Sequence, residues 1–272
     1  MGFVNLFAPL QRSQSHAQTC IRPSSLSTRS RRPRFSFSML FHWGARAATE
    51  QRRKALERLF QERPFAPEWP YSAADFDRLD NSVDDAFYAY PRLVTHIDDA
   101  AIAALTDYYR RTLRDDTDLL DLCSSWVSHL PDTYRGRRVV GLGMNAEELQ
   151  RNPQLTEWVA CDLNRQPRLP FSDASFDYVT CVVSVDYLTR PLEVFREIGR
   201  VLRPGGMCIV SQSNRCFMQK AIALWLSTND VEHAYIIGSY FHYAGGFENI
   251  QARDITRGAG DPMFVVCATR QA

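Results

Sequence analysis

Residues 169–214 read LPFSDASFDYVTCVVSVDYLTRPLEVFREIGRVLRPGGMCIVSQSN, and they hold three elements in a row. Phe176 to Ser184 is short, rich in β-branched and aromatic side chains, and carries one charge, Asp177. That composition predicts a buried strand of a parallel sheet. Pro191 to Leu202 predicts a helix: proline suits the first turn, and Leu192, Phe195, Ile198 and Leu202 share one face. Glu193 with Arg196, and Glu197 with Arg200, are spaced to pair on the wet side. Pro204-Gly205-Gly206 stops the helix and turns the chain, and Met207 to Ser211 predicts the next strand. Strand, crossover helix and strand make a right-handed βαβ unit.

The succession of LPF, SFD, YL, RVL and PGG through this stretch resembles the second half of a class I S-adenosylmethionine-dependent methyltransferase of the type 11 sort. The wider stretch from Trp69 to Arg270 resembles a plant and algal set of methyltransferase-like proteins. That likeness is carried by FYAYPRLVTHID, LDLCSSWVSHLP, GMNAEEL, SNRCF and GSYFHYAGGF. The resemblance implies an α/β fold: a Rossmann-like seven-stranded, mostly parallel sheet with helices on both faces. It also implies S-adenosyl-L-methionine as cofactor and a small-molecule substrate as partner.

The 272 residues suit one catalytic domain with an appendage. The expected division is a leader over 1–48, a helical and aromatic extension over 49–97, and the methyltransferase-like domain over 98–272. The first 49 residues hold seven Arg and no Asp, Glu or Lys. Arg- and Ser-rich, acid-free composition is that of an organelle transit peptide. Its eight Ser point to the chloroplast, with the mitochondrion as the alternative, and cleavage is expected between about Phe35 and Ala48. Setting those seven Arg aside leaves 25 basic against 31 acidic residues. So acidic a body argues against nucleic acid as a partner, which needs a basic face. Seven scattered Cys without a CxxC pair read as reduced thiols, with Cys161, Cys181, Cys208 and Cys267 in core strands, and no metal-ligand spacing appears. No apolar run is long enough for a membrane span. Nothing in the sequence sets the oligomeric state.

Along the chain, Glu50 to Arg63 predicts a charged, peripheral helix, and three prolines extend the chain before Tyr71. Asp98 can cap a helix from Asp99 to about Leu113 whose stripe Ile102, Leu105 and Tyr109 lies on the sheet. Strands are expected at Asp118 to Cys123, Val139 to Leu142, Trp158 to Cys161, Phe176 to Ser184, Met207 to Ser211, Glu248 to Asp254 and Pro262 to Thr269. A helical stretch through Ala221, Leu224 and Trp225 precedes a loop expected at Ser239 to Phe247.

In open α/β sheets the ligand sits at the carboxyl ends of the strands, where their order reverses. The resemblance implies an acid ending the first strand, followed by Gly-x-Gly. Asp121 is that acid, but Cys123, Ser124 and Ser125 stand where glycines are expected. Their hydroxyls and N–H groups suit a carboxylate at a helix start, although side chains with a Cβ reach positive φ less readily than glycine. The acid expected after the second strand is replaced by Gly143-Met144-Asn145, where Asn145 can donate and accept. Glu147 and Glu148 are expected to face water. Asp162 matches the adenine contact, or caps a turn, and Leu163 supplies an apolar neighbour. For catalysis, Asp186 and Tyr187 after the fourth strand and His242 before the sixth are the leading candidates, with His96 behind them; Asp186 can equally cap the next helix, His242 can be a packed loop residue, and His129 either reaches the pocket floor or holds the Trp126 turn. Trp126 either stacks on the ligand or plugs its site. The leading function is methylation of a small acceptor. The rival is a binding or assembly protein of the same fold that has lost transfer, favoured by the missing glycines, Gly143 and Trp126. A nicotinamide-dependent oxidoreductase is disfavoured, because no G-x-G-x-x-G follows the first strand.

Overall fold

The structure, a computed structural model, describes residues 45–258 and 260–272, with side chains from residue 50 onward. Most of the expected leader therefore lies outside the described residues. The chain runs α1 (Ala45–Glu62), α2 (Asp84–Phe87), α3 (Asp99–Thr112), β1 (Asp118–Leu122), β2 (Arg138–Gly143), α4 (Ala146–Arg151), β3 (Glu157–Ala160) and β4 (Phe176–Val182). It continues through α5 (Pro191–Val201), β5 (Leu202–Gln212), α6 (Ala223–Leu226), α7 (Asp230–Ala244), β6 (Phe247–Asp254) and β7 (Phe264–Arg270). The strands form one seven-stranded sheet in the order β3-β2-β1-β4-β5-β7-β6. β1 to β5 are parallel, and β7 enters antiparallel between β5 and β6. This is the Rossmann-like, seven-stranded, mostly parallel sheet with helices on both faces expected from the sequence.

Alternation along the strands builds a core on each face. Leu120, Leu122, Val179, Cys181, Cys208 and Val210 point to the face covered by α1, α5 and α7. Leu119, Tyr178, Ile209, Val265 and Cys267 point to the face covered by α3. On α5, Val194, Phe195 and Ile198 are buried, and Phe195 packs edge-on against Phe241 at 4.8 Å. Asp98 caps α3 by accepting from the Ala101 N–H at 2.9 Å. The α3 stripe is Ala101, Ala104, Leu105, Tyr108 and Tyr109, with Ile102 only half-buried. Pro204-Gly205-Gly206 lies within the first part of β5, which begins at Leu202, with Gly205 at φ +77°. A Cβ at Gly206 would come within 3.0 Å of the Asp177 carbonyl, so the chain needs glycine there.

Two expectations are corrected. The charged first helix is not peripheral: Leu56 and Leu59 are buried, and Arg52 Nε donates to Asp254 Oδ2 on β6 at 2.7 Å. Two leucines three residues apart make a narrow stripe that the surrounding charges conceal. The expected loop at Ser239 to Phe247 is helical through Ala244 and breaks only at Gly245, φ +78°. Apolar residues surround α7 on nearly every side, so it has no amphipathic period to announce it. Among the described residues, no helix is long and apolar enough to cross a membrane, and Cys181, Cys208 and Cys267 are buried free thiols while Cys161 is half-buried.

Candidate functional site

The sheet order reverses between β1 and β4, because the chain proceeds outward from β1 through β2 to β3 and returns through β4 to β5. A cavity of about 310 Å³ opens at the carboxyl ends of these strands, within the size range of small-molecule pockets. Its floor is the strand ends. Its roof comes from residues 84–97 and 215–217.

Asp121 lies on the floor, 2% exposed, and is surrounded by hydroxyls. Ser124 Oγ and Ser128 Oγ both donate to its Oδ2 at 2.6 Å, and Thr180 Oγ1 donates to its Oδ1 at 2.9 Å. Burial raises its pKa, against the pull of those three hydroxyls. Asp121 therefore shapes the loop after β1 as well as bordering the cavity. Cys123 takes φ +55°, the conformation that glycine adopts at least cost. Ser124 N–H donates to the Leu142 carbonyl at 2.8 Å, drawing the loop onto β2. There a Cβ at Gly143 would collide with the Ser124 carbonyl. Gly143 thus follows from the loop that passes over it, and an acid cannot stand at the end of β2. Six described non-glycine residues have positive φ, and three of them, Cys123, His129 and Val183, line this cavity. Backbone strain collected in one place is characteristic of a functional site.

The remaining predicted positions divide. Asn145 caps α4, its Oδ1 accepting from Glu147 and Glu148 N–H at 3.0 and 3.1 Å. Its Nδ2 donates to the Tyr88 carbonyl at 2.9 Å, which ties roof to floor. Ser125 Oγ donates to Glu148 Oε2 at 2.7 Å, and the Arg92 backbone N–H donates to Glu148 Oε1 at 2.6 Å. Glu148 is buried on the cavity wall, contrary to the expectation that it faces water. Asp162 Oδ1 accepts from Asn164 N–H at 2.8 Å as a turn cap, while its Oδ2 makes no hydrogen bond among the described residues. Leu163 is buried beside it on the wall.

His242 lies away from this site. It is on α7, exposed, and its ring stacks on Phe65 at 4.5 Å. Reading α7 as a loop misplaced it. Asp186 is 3% exposed and does not line the cavity, and its Oδ2 has no hydrogen-bond partner among the described residues. Burial lifts its pKa to about 8, so it is a neutral acid at pH 7. Trp126 does not plug the site: its indole N–H donates to the Val94 carbonyl at 3.0 Å, outside the cavity wall.

The roof also holds Asp84, which pattern reasoning missed. Asp84 is 3% exposed and binds the Arg78 guanidinium at 2.9 and 2.8 Å, Lys220 Nζ at 3.0 Å and Asn164 Nδ2 at 3.1 Å. Burial pushes its pKa up, but Arg78, Lys220 and Asn164 outweigh it and hold the group below the usual range. Lys220 is fully buried and also donates to the Ser82 carbonyl at 3.0 Å. Tyr88, His96 and His129 line the cavity, and their side-chain polar atoms make no hydrogen bond among the described residues. Burial, then the neighbouring His96, lowers the His129 pKa to about 4. Burial also lowers that of His96, so both imidazoles are neutral at pH 7. The signal in the sequence was present: FYAYPRLVTHID and SNRCF supply Tyr88, Arg92, His96, Arg215, Cys216 and Phe217 to this wall.

The family model described as "Methyltransferase domain" matches residues 123–210. About a third of this chain is methyltransferase-like by that match. The biotin biosynthesis bifunctional protein BioHC of Cellvibrio japonicus is 28% identical over 169 residues, 60% of this chain and 32% of that protein. The ubiquinone/menaquinone biosynthesis C-methyltransferase UbiE of Roseobacter denitrificans is 42% identical over 72 residues, 25% of this chain and 28% of that protein. The chain thus spans about a third or less of the length of these curated relatives. Among solved structures, an S-adenosylmethionine-dependent methyltransferase from Mesorhizobium loti aligns at 16% identity and TM-score 0.43, covering 61% of this chain and 98% of that one.

Proposed function

We propose that the cavity binds S-adenosylmethionine and that the chain methylates a small acceptor. The observation that carries this reading is the cavity at the β1/β4 switch point, walled by Asp121, Cys123, Asp162 and Leu163. The residues fit the cofactor. Cys123 already holds the left-handed turn of the missing glycine. Asp162 keeps one carboxylate oxygen free for the adenine amino group. Glu148, buried on the wall, brings a carboxylate to the end of β2 from the next helix, where Gly143 excludes one on the strand. When bound, the cofactor supplies an electrophilic methyl on a sulfonium.

The chain's own work is then to position an acceptor and to take its proton where one must leave. The neutral imidazoles of His96 and His129 suit that second task, and the Tyr88 hydroxyl suits the first, since all three border the cavity without partners. Asp186, protonated at neutral pH and set behind the wall, does not suit it. The rival reading, a binding protein that has lost transfer, draws support from Asp121, whose carboxylate is already engaged by three hydroxyls. A transfer assay separates the two. Purified protein with methyl-labelled S-adenosylmethionine and a small-molecule plant or algal extract should yield a labelled product, reduced about tenfold or more by Asp162→Ala. Cofactor binding with no labelled product would favour the rival. We also propose a plastid location on the composition of residues 1–48; a fluorescent fusion of the full chain that stays out of plastids would refute it.

A further inference from the structure

Among the described residues, half-buried arginines are paired almost without exception. Arg52, Arg78, Arg138, Arg200 and Arg203 each meet a carboxylate within 3.0 Å. Arg270 spends its guanidinium on backbone carbonyls of Arg200 and Leu202. Arg92, on the cavity wall, has no carboxylate within ion-pair distance of its guanidinium among the described residues. Its Nη2 donates to the Phe87 carbonyl at 2.7 Å, and its Nη1 is shielded from water with no partner. The nearby Glu148 makes no ion pair with the guanidinium; its two oxygens accept from the Ser125 hydroxyl and from the Arg92 backbone N–H. The guanidinium carbon lies over two aromatic rings, 4.4 Å from the Phe87 centroid and 5.4 Å from that of Phe217. A cation taken partly out of water without a counter-charge is costly, and rings offset only part of that cost. A planar fork of N–H donors held over aromatic rings is suited to a carboxylate.

We propose that Arg92 is an anion-recognising residue of this cavity and takes the carboxylate of a bound ligand. It reaches the site from outside the 123–210 match. The inference rests on the reading of the cavity as an S-adenosylmethionine site. Two ligands can supply the same chemistry there: the amino-acid end of the cofactor, or an acceptor that is itself a carboxylic acid. In either case the carboxylate completes a charge pair that the folded chain leaves open.

Calorimetric titration of the full chain, Arg92→Gln and Arg92→Lys tests this in two arms. The first compares S-adenosylhomocysteine with 5′-methylthioadenosine, which lacks the amino-acid tail. The second titrates protein saturated with S-adenosylhomocysteine with benzoate and with benzyl alcohol. In one arm Arg92→Gln should weaken the carboxylate-bearing probe about tenfold or more and leave its carboxylate-free counterpart within about twofold. Arg92→Lys, which keeps the charge and loses the fork, should fall between parent and Arg92→Gln and should melt like the parent. Loss in the first arm assigns the carboxylate to the cofactor, and loss in the second arm alone assigns it to the acceptor. A parent that binds the nucleosides while neither arm shows a carboxylate-specific loss overturns this inference and leaves the cofactor reading standing. A parent that binds neither nucleoside overturns the cofactor reading and this inference with it.

Discussion

The floor and the roof of the cavity are held by different physics. The floor is strand ends, fixed by the parallel ladder and drawn together by neutral hydroxyls on one buried carboxylate, Asp121. The roof is irregular chain, pinned by a buried cluster of charges in which Lys220 and Arg78 converge on Asp84. The floor's contacts join neighbouring strands. The roof's join residues some 140 positions apart, such as Lys220 and Ser82. A sheet can therefore hold its end of the cavity without help, whereas the roof depends on a few long-range charge contacts that fail together.

The strongest way to break that contrast is Lys220→Met. It takes one of two buried cations from Asp84 and leaves Arg78 as the other, and removing one partner of such a cluster costs about 3–5 kcal/mol. The urea midpoint should fall accordingly; an unchanged midpoint would mean that charges do not hold the roof. Asp121→Ala should cost less, about 2–3 kcal/mol, because three hydroxyls lose an acceptor but can rotate toward others. If it proved as damaging as Lys220→Met, the distinction between the two regions would collapse.

Asp186 sharpens the comparison through pH. Its pKa is lifted by burial from 3.8 to about 8, so its contribution to stability is full below the unfolded value and is lost as pH rises through the folded one. Asp186→Asn mimics the neutral acid and has no such dependence. Its melting temperature should gain on that of the parent from pH 5 to pH 8, ending about 3 °C or more higher. Parallel pH profiles would contradict the buried neutral acid. The smallest effect belongs to Cys123→Gly. Relief of left-handed strain, about 1 kcal/mol, is nearly offset by the freedom glycine adds to the unfolded chain, so stability should stay within about 1 kcal/mol of the parent. A loss well beyond that, measured in urea, would mean that the thiol itself holds the loop.

These differences explain what the sequence could announce. Phe176 to Val182 and Pro191 to Val201 are legible because burial imposes a run of apolar residues on one and a 3.6-residue stripe on the other. Asp121 near the end of β1, and Asp162 and Leu163 just after β3, are placed at the cavity because the family resemblance marks the carboxyl ends of the strands. Glu148 was expected to be wet because nothing local shows that Ser125 and the Arg92 N–H reach its carboxylate. His242 was misplaced because a helix buried on nearly all sides has no polar face to mark it. Lys220 carries no local signal, and Arg92, although it stands in the FYAYPRLVTHID segment, shows its role only once the fold brings Phe217 and the cavity beside it.

The central claim is that the glycine-less loop still builds a cofactor site, and one titration tests it most directly. Calorimetry of the parent with S-adenosylmethionine and S-adenosylhomocysteine should give micromolar binding. Asp162→Ala should weaken it by about 1–2 kcal/mol, roughly tenfold, the value of one net hydrogen bond. No heat and no thermal shift at millimolar cofactor would contradict the account.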